Sequence, residues 1–122
     1  MRIHLIEDDN TTNQLHAMLF ELFPNISAEF YVTGADYLEH LQTHEEDVPH
    51  FVFVDIRLPE FSGLDLIEKI IQSHFNQLDN ARIFVLSSTL LRHDIERAKS
   101  FNIVEDFIEK PLTHAKLKEL LV

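Results

Sequence analysis

The chain has 122 residues, of which 45% are apolar, and its 10 Lys+Arg stand against 21 Asp+Glu for a formal charge of −11. That is enough apolar material for one packed domain spanning residues 1–122, which argues against intrinsic disorder, and the acidic balance argues against a bare nucleic-acid-binding surface, which needs cations for phosphates. With no cysteine there is no disulfide framework, thiolate zinc site or Cys nucleophile; no apolar run approaches the ~20 residues of a membrane span and the amino-terminal segment turns acidic too soon for a signal peptide, so a cytoplasmic setting without membrane contact is expected.

The first segment with strand character covers residues 3–6 and ends in Glu7-Asp8-Asp9. A helix follows, marked by Leu15, Met18, Leu19 and Leu22 at helical spacing, with Thr11 or Thr12 as a plausible N-cap and Pro24 closing it. A second strand is expected at 28–32 and a second helix around Tyr37, Leu38 and Leu41. The run 51–54 is apolar without alternation, as in a strand buried on both faces, and ends at Asp55. Ser62 caps a third helix marked by Leu64, Ile67, Ile70, Ile71 and Phe75. A fourth strand at 83–86 ends in Ser87-Ser88 and leads to a weakly amphipathic helix around 94–101. The fifth strand, 106–108, runs into Lys110-Pro111, and the last helix covers 113–121.

Strand and helix alternate five times, which implies a doubly wound parallel sheet with helices on both faces. Ligands bind such sheets at the carboxyl ends of the strands. Those ends carry Glu7, Asp8, Asp55, Ser87 and Lys110, residues that span more than a hundred positions of sequence. A carboxylate cluster repels itself, so a hard divalent cation is its natural partner, and Mg²⁺ favours a few carboxylates plus waters and a phosphate oxygen. A lysine and a hydroxyl beside it suit a phosphoryl group, so the chemistry favoured is transfer onto a carboxylate.

Four motifs in order now carry a resemblance: Leu5-Ile6-Glu7-Asp8-Asp9-Asn10; Val54-Asp55-Ile56-Arg57-Leu58-Pro59 with Ser62-Gly63-Leu64; Val85-Leu86-Ser87-Ser88; and Phe107-Ile108-Glu109-Lys110-Pro111. Over essentially its whole length the chain resembles the receiver domain of bacterial two-component response regulators. The resemblance implies a flavodoxin-like (βα)5 fold with strand order 2-1-3-4-5. It implies that Asp55 is the phosphoacceptor, that Glu7, Asp8, Asp55 and the backbone carbonyl of Arg57 hold Mg²⁺, and that Ser87 and Lys110 engage the phosphoryl group. Ser87 and Phe107 would form the switch, and Lys110-Pro111 a cis bond. A sensor histidine kinase or phosphotransfer protein would donate the phosphoryl group. The resemblance makes the fourth helix, fifth strand and fifth helix, residues 90–122, the readout face toward a downstream protein or a second copy.

The resemblance makes Arg57 and Thr89 the positions that tune phosphate lifetime; neither is a water-activating carboxylate or amide, so no rapid self-dephosphorylation is expected. A phosphohydrolase working through an aspartyl-phosphate would need a carboxylate where Arg57 stands, and a receiver-like interaction domain that no longer takes phosphate usually lacks one of the groups present here. Dinucleotide binding lacks its glycine fingerprint after the first strand. His40 and His44, four apart on a helix, have a spacing that can bind zinc, but no third ligand follows at a convincing position, and both are read as a solvated face. His93 and Asp94 are read as surface, Asp9 as support for a helix start, and Phe61 as a ring exposed near the site, either a contact for the donor protein or a lid over the site. Ser87 stands where Thr is common. The turn before the fifth strand lacks the usual glycine, which leaves Asn102 as the residue expected to take a left-handed conformation.

Overall fold

The computed structural model describes residues 1–89 and 91–121. The elements are β1 (Arg2–Ile6), α1 (Asn10–Glu21), β2 (Ser27–Tyr31), α2 (Gly34–Thr43), β3 (Phe51–Asp55), α3 (Gly63–Ser73), a 3-10 turn (Asn76–Leu78), β4 (Arg82–Ser87), α4 (Arg92–Ser100), β5 (Val104–Glu109) and α5 (His114–Leu121). All five strands are parallel, in the order β2-β1-β3-β4-β5. The expected doubly wound sheet is therefore present. β5 begins two residues earlier than its apolar run, because Val104 pairs with Ile83 ahead of an irregularity that leaves Glu105 unpaired in the ladder.

Each face of the sheet builds its own core. Ile6, Val52, Val54, Ile83 and Val85 pack against Tyr37 and Leu41 of α2, Leu64, Ile67 and Ile70 of α3, and Ala98 of α4. On the other face Ile3, Leu5, Phe51, Phe53, Phe84 and Leu86 meet Phe20 of α1 and Leu117 and Leu120 of α5. The rings of Phe51, Phe53 and Phe84 stack with centroids 5.6–6.2 Å apart. β3 is buried at every position, as its unbroken apolar run suggests.

Several local expectations are corrected. Of Leu15, Met18, Leu19 and Leu22, Leu19 packs half-buried against the core, whereas the other three are 59%, 65% and 65% exposed and the buried face of α1 is His16 and Phe20. Both stripes have helical spacing, and the Phe20 ring lies 6.1 Å from that of Phe30 on β2, in the same core as Phe51, Phe53 and Phe84. The cap of α1 is Asp9 rather than Thr11 or Thr12: its Oδ2 accepts from the Thr12 amide at 3.1 Å and from the Thr12 hydroxyl. In α3, Leu66 joins the core and Ile71 is exposed, while Phe75 lies beyond the helix. Ser62 does cap α3, in a capping box with Asp65. The expectation for Asn102 fails. α4 ends in extended backbone at Phe101, and the Val104 amide donates to the Phe101 carbonyl, so no left-handed residue is required. Among the described residues other than glycine, positive φ occurs at Glu60 and His74.

Candidate functional site

The carboxyl ends of β1, β3, β4 and β5 bring their terminal residues to one rim. Glu7 follows β1 and is buried; Asp8, next to it, is exposed. Asp55 ends β3 with 2% of its surface exposed. Carboxylate oxygens of Glu7, Asp8 and Asp55 all lie within 4.8 Å of one another. Lys110 follows β5 and reaches across the rim, its Nζ 2.5 Å from Glu7 Oε1 and 3.3 Å from Asp55 Oδ2. The Lys110-Pro111 bond is cis.

These charges shape one another. Burial, together with the neighbouring Asp55 carboxyl, pushes the Glu7 carboxyl above its usual value, against the pull of Lys110. Partial desolvation and the adjacent Glu7 raise Asp8 as well. Burial opposes the charge on Lys110, but Glu7 and Asp55 more than offset it and hold the ammonium above its ordinary range. One lysine thus faces three carboxyl groups, leaving an excess of negative charge aimed at one point. The donor set is all oxygen, carboxylate-rich and partly open through Asp8, which fits a small hard divalent cation.

Local structure holds these groups in place. The Asn13 side chain donates to the Glu7 carbonyl at 2.9 Å, and the Asp9 amide donates to Glu7 Oε2 at 3.3 Å. The Arg57 amide donates to Asp55 Oδ1 at 3.3 Å, so the backbone two residues past Asp55 borders its carboxylate. Gly63 packs so closely that a Cβ there would stand 2.1 Å from the Asp55 carbonyl oxygen, and its amide donates to the Ile56 carbonyl at 2.8 Å. Sequence reasoning quoted Gly63 without seeing this approach and missed Asn13, six residues beyond its acceptor, altogether. Asp9 caps α1 and stays outside the carboxylate cluster, as its reading supposed.

Ser87 ends β4 at the rim, and Phe107 lies two residues short of the end of β5, paired with Val85; neither engages the carboxylates. The Ser87 hydroxyl is buried and turned into its own loop, donating to the Thr89 carbonyl at 2.5 Å and accepting from the Thr89 amide at 3.1 Å. The Lys110 amide donates to the Ser87 carbonyl at 2.7 Å, which ties the two strand ends together. Phe107 is half-buried against the α3–α4 core. Phe61 is half-buried rather than free: its ring lies over Gly34, where a Cβ would come within 2.5 Å of it, and Lys69 Nζ sits 5.1 Å from its centroid. The readout segment 90–122 includes α4, β5 and α5; its end residues, Leu90 and Val122, lie outside the described residues.

The histidine reading divides. His44 and His93 are exposed, as expected of surface residues. His40 is not on a solvated face; its side chain is 16% exposed and its Nε2 lies 2.7 Å from Asp47 Oδ2. Spacing along one helix could not show this, because the partners of His40 come from β1 and from the loop after α2. A broad groove lined by Ile70, His74, Leu78, Arg82 and Asn102 lies at the amino ends of β4 and β5, away from the acidic rim.

Comparison with known proteins agrees with this fold. The chain belongs to the response regulator receiver domain family, whose model matches residues 3–122. It is 31% identical over 120 residues to the probable methanogenesis regulatory protein FilR2 of Methanothrix harundinacea, covering 95% of this chain and 76% of that one. It is 32% identical over 113 residues to stress response regulator protein 1 of Scheffersomyces stipitis, and 26% identical over 120 residues to hybrid signal transduction histidine kinase L of Dictyostelium discoideum. Those matches cover 90% and 96% of this chain but only 37% and 7% of the relatives. Among solved structures, a two-component response regulator from Cytophaga hutchinsonii superposes with a TM-score of 0.89 at 24% identity, covering 98% of this chain and 92% of that one. A response regulator from Burkholderia pseudomallei, solved with a phosphorylated aspartic acid and a calcium ion, superposes with a TM-score of 0.80 at 19% identity, covering 99% of this chain and 66% of that one. Among the described residues, no helix is long and apolar enough to cross a membrane.

Proposed function

We propose that the chain is a phosphorylation-switched signalling module that accepts a phosphoryl group on Asp55 from a phosphohistidine of a sensor kinase or phosphotransfer protein. The observation that carries this reading is the buried Asp55 carboxylate, with Lys110 Nζ at 3.3 Å and the carboxylates of Glu7 and Asp8 beside it. Glu7, Asp8, Asp55 and the Arg57 carbonyl would hold Mg²⁺. When bound, Mg²⁺ supplies charge neutralisation between the acceptor and the incoming phosphoryl oxygens.

A carboxylate oxygen of Asp55 attacks phosphorus; the O–P bond forms as the donor's N–P bond breaks, and the released imidazole nitrogen takes up a proton. Asp55 is held for in-line attack by the Gly63 contact on its backbone and by the Arg57 amide on its carboxylate. Lys110 binds the transferred phosphoryl oxygens as a point charge. The Ser87 hydroxyl then exchanges the Thr89 carbonyl for a phosphoryl oxygen. Phe107 moves from half-buried to buried as that loop shifts. The change biases a pre-existing equilibrium read out on α4, β5 and α5 by a protein partner. No nucleic-acid contact by this segment is proposed, in keeping with its acidity.

The donor protein has a surface to meet. Leu15, Met18 and Leu22 form an exposed apolar stripe on α1, the helix that starts directly after the acidic turn. Such a stripe beside the site suits an amphipathic partner helix. The test is Mg²⁺ dependence: with acetyl phosphate and Mg²⁺, the intact mass rises by one phosphoryl group, and with EDTA it does not. Equal labelling in EDTA would remove the acidic rim from the mechanism.

A further inference from the structure

A second cluster of metal-ligating side chains lies outside the acidic rim, on the α2 side of the sheet. His4 from β1, Glu29 from β2, His40 from α2 and Asp47 from the loop before β3 each offer a ligand atom, all within 4.8 Å of one another. His4 and Glu29 are register partners on adjacent strands, which fixes their spacing. His4 is 1% exposed and Asp47 6%, while the Glu29 side chain is 44% exposed and opens the cluster to solvent.

The orientation of the donors is what singles the cluster out. The Nε2 atoms of His4 and His40 converge on one oxygen, Asp47 Oδ2, at 3.0 and 2.7 Å. Asp47 Oδ1 is turned the other way, onto the Arg2 guanidinium. Behind the first imidazole, His4 Nδ1 lies 2.9 Å from the buried Tyr37 hydroxyl. Arg2 and the Tyr31 hydroxyl hold the two oxygens of Glu29, at 3.1 and 2.9 Å. His4, Asp47 and Glu29 thus each have a second polar contact that fixes their orientation, as outer partners do in a metal site, and the His40 ring is stacked on that of His44 with centroids 4.5 Å apart.

We propose that His4, His40 and Asp47, closed by Glu29, form a binding site for a transition-metal dication of the Zn²⁺ class, separate from the acidic rim. Two imidazoles and carboxylate oxygens are a borderline-soft set that selects Zn²⁺ over Mg²⁺, which takes oxygen ligands. Binding needs no net loss of protons from the imidazoles. Each moves its Nε2 proton to Nδ1, where that of His4 is donated to the Tyr37 hydroxyl. Arg2 balances the carboxylates from outside, and a bound ion would pin α2 and its following loop to β1 and the edge strand β2.

The test uses the whole chain in excess Mg²⁺, with Asp55→Asn as the background that disables the acidic rim. At roughly 100 μM Zn²⁺ the melting temperature is expected to rise by several degrees in the wild type and in Asp55→Asn alike. The rise is expected to vanish in His40→Ala and in Asp47→Asn, the second variant preserving side-chain shape should the first fold poorly. Co²⁺ is expected to give a tetrahedral visible band in the wild type and in Asp55→Asn, absent from both cluster variants. Tyr37→Phe is expected to weaken Zn²⁺ binding by about 10-fold or more. No shift in the wild type, or a shift that survives both cluster variants or disappears in Asp55→Asn, would overturn the site and leave a buried hydrogen-bond network.

Discussion

Gly63 and Lys110 show how single residues set the rim. At Gly63 any side chain would collide with the Asp55 carbonyl, 2.1 Å from an added Cβ. Gly63→Ala is therefore expected to cost about 1–3 kcal/mol in urea denaturation, as overpacking does, and to weaken Mg²⁺ binding by moving the end of β3. Lys110 pairs with both Glu7 and Asp55; Lys110→Met should lower stability by roughly 3–5 kcal/mol in the absence of divalent ion, since it strands buried charge. Added Mg²⁺ should restore more stability to that variant than to the wild type, a comparison that thermal melts make directly. Neither Arg57, whose amide meets Asp55, nor Thr89, two residues past Ser87, carries a carboxylate to activate water, so a phosphorylated half-life of minutes or longer is expected, and decay within seconds would contradict it. Glu7, Asp8, Asp55, Ser87 and Lys110 were legible as a group because each follows an apolar run. Gly63, Asn13, His4 and Asp47 were not, because their roles are contacts across the fold that no local pattern encodes.

Elements are tied to one another by arginines. Arg82 bonds Glu105 through two nitrogens, donates to the Leu120 carbonyl at 2.8 Å, and lies 5.2 and 5.4 Å from the Phe51 and Phe84 rings, joining β4, β5 and α5. Arg97 of α4 reaches Asp65 and Glu68 of α3 at 2.8 and 2.9 Å. Arg82→Ala is expected to cost about 1–2 kcal/mol, more than an isolated surface pair, because it loses ring contacts too. Hydrogen bonds from Arg97 and Arg82 hold the Asp65 and Glu105 carboxyls below their ordinary values of 3.8 and 4.5. With the folded values depressed, their stabilisation is complete above the ordinary values and is lost as pH falls through the folded ones. Melting temperature should thus drop between about pH 5 and pH 3, and less steeply in Arg82→Ala and Arg97→Ala. Element order and type were legible from apolar runs and helical spacing. The buried face of α1 was not, since Leu15, Met18 and Leu22 compete with His16 and Phe20 on the same helix and only the sheet decides between them. That choice leaves an apolar stripe on the surface. Met18→Asp is expected to slow transfer from a phosphohistidine protein at least severalfold while leaving labelling by acetyl phosphate unchanged.

For the whole molecule, parallel topology does what sequence distance hides: it carries the ends of β1, β3, β4 and β5 to one rim, where three carboxyl groups face one lysine. The same topology brings His4, Glu29, His40 and Asp47 together along the β1–β2 edge, a juxtaposition that the His40/His44 spacing could not announce. Membership in the receiver family rests on residues 3–122, so the whole rim lies within the matched region. The central proposal is that the phosphoryl group goes to Asp55. The most direct measurement is the intact mass of the wild type and of Asp55→Asn after incubation with acetyl phosphate and Mg²⁺. A gain of one phosphoryl group in the wild type and none in the variant is the result expected; an equal gain in a folded Asp55→Asn protein, or none in the wild type, would contradict it.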